Sequence, residues 1–123
     1  MTASLKHDPD CIFCKIVDGK IPSKKVYEDA ELIAFADINP AAPIHLLLVP
    51  KAHIPTLAEC APEHQELLGR MLLLAPKLAN EAGQVNGFRV TFNNGPDGGQ
   101  EVYHLHLHVM AGPRPWLRGS LTS

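Results

Sequence analysis

The sequence predicts an α+β domain in which an antiparallel sheet carries one main helix and a short N-terminal helix. Three observations point there: several short apolar runs bounded by turn residues, one long segment with helical apolar spacing, and a length that suits one core. At 123 residues the chain has the size of one compact domain, since domains commonly run to roughly 100–150 residues. We therefore expect a single domain over residues 1–123, with a core from about residue 10 to 112 and tails at 1–9 and 113–123.

The elements follow in order. Ile12, Phe13 and Ile16 have the spacing of about one turn of helix, which Gly19 and Pro22 end. Val26 to Tyr27 and Leu32 to Ala36 flank Glu28, Asp29, Ala30 and Glu31, the pattern of an antiparallel hairpin, and Asp37 falls where its second strand ends. A proline-rich link, Asn39 to Pro43, leads into Ile44 to Val49, whose unbroken apolar run suits a central strand buried on both faces. Pro62 to about Gly83 places Leu67, Leu68, Met71, Leu72, Ala75, Leu78, Ala79 and Ala82 at helical spacing. Pro76 inside that pattern is expected to bend or interrupt the helix, because it has no N–H for the Leu72 carbonyl. Phe88 to Phe92 reads as another strand, and after a turn-rich loop from Asn93 to Gln100 the last strand is expected over Val102 to Met110.

Composition excludes several classes of function. Hydrophobic residues make up 46% and charged residues 20% of the chain, the balance of a protein that folds rather than of a disordered one. Eleven Lys plus Arg against 13 Asp plus Glu give a formal charge of −2, which argues against a surface that wraps a nucleic-acid polymer. The longest apolar stretches, Leu46 to Val49 and Met71 to Ala75, fall far short of the roughly 20 residues that span a bilayer, so no membrane span is expected. Lys6, His7, Asp8, Pro9 and Asp10 stand where a secretory signal would need an apolar run, so a cytoplasmic protein is expected. Three cysteines, Cys11, Cys14 and Cys60, fit reduced thiols or metal ligands better than a disulfide scaffold.

The chemistry concentrates in Tyr103-His104-Leu105-His106-Leu107-His108-Val109. The two-residue period of a strand puts all three imidazoles on one face, roughly 6 to 7 Å apart, and sends Leu105, Leu107 and Val109 into the core. Histidines so spaced can share a substrate, whereas a single metal would need local bending or other ligands. Upstream, Asn93-Asn94-Gly95-Pro96-Asp97-Gly98-Gly99-Gln100 is a loop whose glycines let backbone N–H groups approach an anion. No Gly-rich loop ends in Lys-Ser or Lys-Thr, which excludes a P-loop phosphotransferase. Cys11 and Cys14 form a C-x-x-C pair, readable as half a zinc site, a redox pair or two small buried residues.

His104-Leu105-His106-Leu107-His108-Val109, preceded by Gly98-Gly99-Gln100, resembles the signature of the histidine triad (HIT) superfamily. Further matches at Ile12-Phe13-Cys14-Lys15-Ile16, Tyr27-Glu28-Asp29, Ala34-Phe35-Ala36-Asp37-Ile38, Pro43-Ile44-His45 and Val49-Pro50-Lys51-Ala52-His53-Ile54 resemble its nucleotide-binding branch, from about Asp10 to Val109. The resemblance implies a HIT-like fold and a homodimer that binds purine nucleoside monophosphates and hydrolyses adenosine phosphoramidates. It implies His106 as nucleophile, His108 at the phosphate or leaving group, and His45 supporting the cluster. Asn93, Gly99 and Glu101 match phosphate-contacting positions, although an ionised Glu cannot donate to phosphate as the Ser of some members does. Asp37 matches the carboxylate that receives the ribose hydroxyls, and Ile12, Phe13, Ile16, Phe35, Ile38 and Leu47 match the apolar pocket around the base.

Members that carry the cysteine pair complete a structural zinc site at positions matching His53 and His104. The resemblance thus implies a possible structural zinc on Cys11, Cys14, His53 and His104, with no cofactor required for the chemistry. Ala111-Gly112-Pro113 departs from the Gly-Gly-Arg of the branch, and Trp116 in the tail could reach a partner subunit or pack on its own. The alternative activities are a dinucleoside polyphosphate hydrolase, a nucleotide-binding interaction module with incidental catalysis, and a three-histidine hydrolytic zinc site.

Overall fold

The computed structural model describes residues 8–116; the remainder of the two expected tails, 1–7 and 117–123, lies outside the described residues. The chain runs α1 (Ile12–Val17), β1 (Lys25–Glu28), β2 (Leu32–Ala36), β3 (Ile44–Pro50), α2 (Gln65–Glu81), β4 (Phe88–Phe92) and β5 (Leu107–Ala111). Short 3-10 turns at Leu57–Glu59 and Pro62–His64 precede α2. All pairings in the five-stranded sheet are antiparallel, in the order β1-β2-β3-β5-β4. This is the α+β architecture expected from the sequence.

The two faces of the sheet carry different layers. Leu32, Ala34, Leu46, Leu48, Leu107 and Val109 pack against Met71, Ala75, Leu78 and Ala79 of α2. On the other face Ile33, Phe35, Leu47 and Val49 pack against Phe13 of α1. β3 lies centrally between β2 and β5, and its residues from His45 to Pro50 are buried, as its unbroken apolar run requires. Because side chains alternate across a strand, His108 lies on the α1 face between Leu107 and Val109.

Three expectations need correction. Of the two outcomes expected at Pro76 interruption does not occur, α2 running continuously from Gln65 to Glu81, because burial of its apolar face supplies more stability than one backbone hydrogen bond. Leu72 and Ala82 are exposed, whereas Leu74 packs against the core, so the buried stripe is narrower than the spacing suggested. The last strand begins at Leu107 rather than Val102. β4 ends at Phe92, opposite Leu107, and the pairing with β3 stops at Leu48 although β3 runs on to Pro50, so the ladder does not continue into residues 101–106. They are tied sideways instead: the Leu105 N–H donates to the Ile54 carbonyl at 2.6 Å. Leu105, Leu107 and Val109 still enter the core as the alternation requires.

β5 ends at Gly112, whose φ of +111° and 2.6 Å approach of a notional Cβ to Pro43 both require glycine. Beyond it the Trp116 indole donates to the Gly112 carbonyl at 3.1 Å and packs on Ala41, Ala42 and Met110. Within this chain the described tail therefore folds back onto its own subunit.

Candidate active site

α1 forms one wall of the site. Its N-cap is Cys11, whose Sγ accepts from the Cys14 N–H at 3.4 Å, and Gly19 at φ +76° ends the turn that follows. This short helix places Ile12, Phe13 and Ile16 opposite Phe35, Asp37 and Ile38 at the end of β2, around a cavity of about 270 Å³ that Leu47 and Glu101 also line. All six apolar pocket residues expected from the sequence meet here, with Asp37 at the rim. A larger groove of about 830 Å³ lies between residues 83–89 and 112–116. No histidine lines either space, but Phe13 of the smaller cavity packs edge-on against His106, which assigns that cavity to the site.

Beside this cavity stand the histidines. Phe13 contacts His106 edge-on with ring centroids 5.1 Å apart, and His106 lies 5.0 Å from His108. That separation is shorter than an ideal strand gives, because His106 lies in the irregular segment that precedes β5. His104 turns to another cluster. His45, on β3, places Nε2 2.9 Å from Nδ1 of His108. It therefore supports the third histidine of the motif, whereas the His106 ring bonds a carbonyl.

Hydrogen bonds fix where each proton sits. The Ala41 N–H donates to His45 Nδ1 at 3.0 Å, so neutral His45 carries its proton on Nε2 and donates it to His108 Nδ1. His108 must then carry its own proton on Nε2, a buried atom that has no hydrogen-bond partner among the described residues. His106 Nδ1 donates to the His104 carbonyl at 2.7 Å, which puts the lone pair of the neutral ring on Nε2. The site thus presents a nucleophilic nitrogen on His106 beside an N–H donor on His108. Burial holds His108 neutral, with a pKa lowered to about 3, and the neighbouring His106 and His45 act in the same sense. His45 is lowered chiefly by burial, against the raising effect of Asp37.

The glycine loop is held from within. Gly98 N–H donates to the Gly95 carbonyl at 3.2 Å and Gly99 N–H to the Pro96 carbonyl at 3.1 Å. These amides are engaged in the turn rather than held out for an anion, a correction to the sequence expectation. Asn93 is buried beside the loop, where its Nδ2 donates to the Gly98 carbonyl at 3.0 Å and its Oδ1 has no partner among the described residues. Sequence reasoning gave Gln100 no role, yet its buried amide accepts from Gly95 N–H and donates to the Pro55 and Val102 carbonyls. It staples the loop to the segment after β3. A glutamine directly after two glycines was the available signal, but its backbone partners leave no trace in side-chain identity.

The second cluster joins Cys11, Cys14, His53 and His104, with one ligand atom from each lying within 4.8 Å of every other. Sulfur to nitrogen distances are 3.3, 3.4 and 3.6 Å, and the two Nδ1 atoms are 3.3 Å apart. Tetrahedral zinc, with Zn–S near 2.3 Å and Zn–N near 2.05 Å, requires about 3.5 Å and about 3.3 Å for these pairs. The residues fit the ion. His104 Nε2 donates to the Pro50 carbonyl at 2.7 Å, which turns the Nδ1 lone pair toward the cysteines. Asp37, His45 and His108 are also close enough to be considered as a metal triad. The 2.9 Å nitrogen pair there is a hydrogen bond with a proton in it, and the Ala41 N–H keeps it so, which argues against a metal on these three. A three-histidine hydrolytic site would instead need His104, whose Nδ1 faces Cys11, Cys14 and His53 and whose Nε2 is bound to the Pro50 carbonyl.

The buried neutral histidines make stability depend on acidity. Burial lowers His104 to about 4 and His108 to about 3, whereas in the unfolded chain both titrate near 6.5. Below about pH 6.5 the unfolded chain binds protons that the folded chain refuses, so stability is complete above that pH and declines toward the folded values. Each such histidine costs up to about 1.4 kcal/mol per pH unit. Denaturant unfolding at pH 7 and pH 5 is expected to show a loss of about 2 kcal/mol or more, before most carboxylates titrate. Equal stability at the two values would refute the neutral assignment.

Comparison with known proteins follows the same lines. Residues 10–118 match the family described as scavenger mRNA decapping enzyme C-term binding. Protein HitA of Neisseria gonorrhoeae is 56% identical over 104 residues, covering 85% of this chain and 97% of its own. The purine nucleoside phosphoramidase of Escherichia coli K12 is 44% identical over 104 residues, covering 84% of this chain and 87% of its own. Among solved structures, a histidine triad protein from Clostridium difficile superposes with a TM-score of 0.84 at 47% identity, covering 89% of this chain and 96% of its own.

Proposed function

Because the chain belongs to the histidine triad family, we propose that it is a purine nucleoside phosphoramidase, hydrolysing adenosine 5′-phosphoramidates to the nucleoside monophosphate and an amine. The observation that carries this reading is the hydrogen-bond chain from Ala41 through His45 to His108, beside a His106 whose Nδ1 is bound to a carbonyl. It sets a nucleophilic nitrogen next to an N–H donor, behind Phe13 of the apolar cavity. The E. coli relative bearing the name purine nucleoside phosphoramidase supports the substrate class.

In this mechanism the base enters between Phe13, Phe35, Leu47 and the isoleucines, and the ribose hydroxyls donate to Asp37. His106 Nε2 attacks phosphorus; the P–N bond breaks with its electron pair on nitrogen, and a nucleotidyl-histidine remains for water to hydrolyse. His108 Nε2–H donates to a phosphoryl oxygen as charge develops there. With its pKa lowered to about 3, His108 is a poor proton source for the amine, so that proton comes from water. Asn93 borders the phosphate. Gly99 shapes the loop there, and exposed Glu101 lines the rim.

Cys11, Cys14, His53 and His104 would hold a zinc ion whose filled shell is structural. It would supply rigidity and no open coordination site. We further propose a homodimer. β4 is an edge strand whose Phe88 and Val90 are exposed, the kind of edge that a second copy covers. No helix among the described residues is long and apolar enough to cross a membrane.

The substrate class is tested by measuring kcat/KM for an adenosine 5′-phosphoramidate and for a diadenosine polyphosphate side by side. The phosphoramidate is expected to be favoured by about tenfold or more. A reversed preference would assign the site to dinucleoside polyphosphates, and binding of nucleotide with turnover of neither would assign it to an interaction module.

A further inference from the structure

We propose that Asp37, besides receiving ribose, is a positioning residue whose carboxylate holds the His45 proton on Nε2 and thereby keeps His108 as a donor toward the phosphoryl group. The inference rests on the phosphoramidase reading for its substrate, and on the geometry around His45 for its content. Asp37 Oδ2 lies 3.4 Å from His45 Nε2, and the two side chains are 9% and 1% exposed, so water screens the pair weakly. The Asp37 N–H donates to the His45 carbonyl at 3.0 Å, which fastens the end of β2 to β3 and fixes the carboxylate against the ring.

Tautomer choice at His45 is then set from both sides. The Ala41 N–H needs a lone pair on Nδ1, and the carboxylate needs a proton on Nε2. The reversed tautomer would set N–H against N–H at Ala41 and a lone pair against a negative charge at Asp37. It would also present His108 Nδ1 with an acceptor, so that the His108 proton would move to Nδ1 and Nε2 could no longer donate to phosphate. The charged or titratable groups facing His45 are Asp37 from the end of β2, His108 on β5 and His106 just before it. Only Asp37 among them is anionic.

The carboxylate has capacity for both tasks. Oδ1 accepts from the Asn39 N–H at 2.9 Å and Oδ2 faces His45. A carboxylate accepts from several donors at once, so one side chain can face both the ring and the ribose. A residue acting on ribose alone would have no reason to be anchored against an imidazole. The arrangement joins substrate recognition and phosphoryl stabilisation in one side chain.

The test uses adenosine 5′-phosphoramidate and its 2′,3′-dideoxy analogue with wild-type protein, Asp37→Asn, His45→Asn and the double variant. On the dideoxy substrate Asp37→Asn is expected to lower kcat by about tenfold or more while KM moves by less than about twofold. In the His45→Asn background the same substitution should change kcat by less than about twofold. Wild-type kcat for Asp37→Asn on the dideoxy substrate would reduce Asp37 to a ribose ligand, and losses that multiply in the double variant would place its action elsewhere; either overturns the proposal. Nitrogen-15 NMR of the protein without substrate should show His45 protonated on Nε2 in wild type and mixed between nitrogens in Asp37→Asn and Asp37→Ala. An unchanged tautomer in both folded variants would likewise overturn it. Because the NMR needs no turnover, a wild-type protein inert toward phosphoramidates would refute the substrate class while the positioning role is still decided.

Discussion

His106→Ala is expected to lower phosphoramidate turnover by about 10³-fold or more, the scale on which loss of an attacking group is felt when the surrounding binding and electrostatic groups remain. The ring is buried and sits edge-on to Phe13, yet the cavity walls and Asp37 are built by other residues, so nucleotide binding should survive. Rapidly quenched wild-type enzyme should carry adenylate mass on the peptide containing His106, and the variant should carry none. His106→Gly leaves space at the same place, and added imidazole should restore part of the turnover toward an activated substrate. Near-wild-type turnover by His106→Ala would refute the mechanism outright.

Removing zinc from the protein is expected to lower its melting temperature by roughly 10 °C, the equivalent of about 3 kcal/mol for a chain of this size. The ion would join α1, through Cys11 and Cys14, to His53 after β3 and His104 before β5, three segments distant in the chain. Without it Cys14 is a buried thiol with its pKa raised to about 11, chiefly by burial, and two imidazoles face one another with no cation between them. Turnover of the protein that stays folded should fall less than stability, because the His104 carbonyl that orients His106 is also held through the Leu105 N–H to Ile54 and the His104 ring to Pro50. Metal analysis should return one zinc per chain, and Cys14→Ser should reproduce the thermal loss. Metal-free protein that is fully folded and inactive would refute a structural role. An unchanged melting curve on chelation of the bound ion would refute it equally.

Much of the fold could be read in the sequence because the sheet obeys its own period. Ile44 to Val49 could only be buried on both faces, and Leu107 and Val109 could only oppose His108 across the strand; the structure has both arrangements. The extent of the last strand could not be read in the same way. A strand needs a partner along its length: β4 ends at Phe92, opposite Leu107, and pairing with β3 stops at Leu48 although β3 runs on to Pro50, and neither end point is marked by the apolar alternation. Pro76 was misleading for a related reason: a local preference worth a few kcal/mol was overridden by the packing of Met71, Ala75, Leu78 and Ala79 against the sheet.

The sequence by itself determined the α+β class, the strand-borne alternation of histidine with leucine, and the set of residue types able to attack phosphorus, receive a ribose or hold a thiophilic metal. Those are properties of side-chain chemistry and of spacing along the chain, and both are written in one dimension. The tertiary structure alone decided which nitrogen of each histidine carries the proton. That choice depends on Ala41 N–H, the Pro50 and His104 carbonyls and the Asp37 carboxylate, brought to the rings across 4 to 54 residues of chain in the hydrogen bonds to Ala41 and Pro50. A backbone amide or carbonyl is the same at nearly every position, so no residue letter records it. In a buried site each such group directs one lone pair or one proton, and the proposed division of His104, His106 and His108 among metal, nucleophile and donor rests on that.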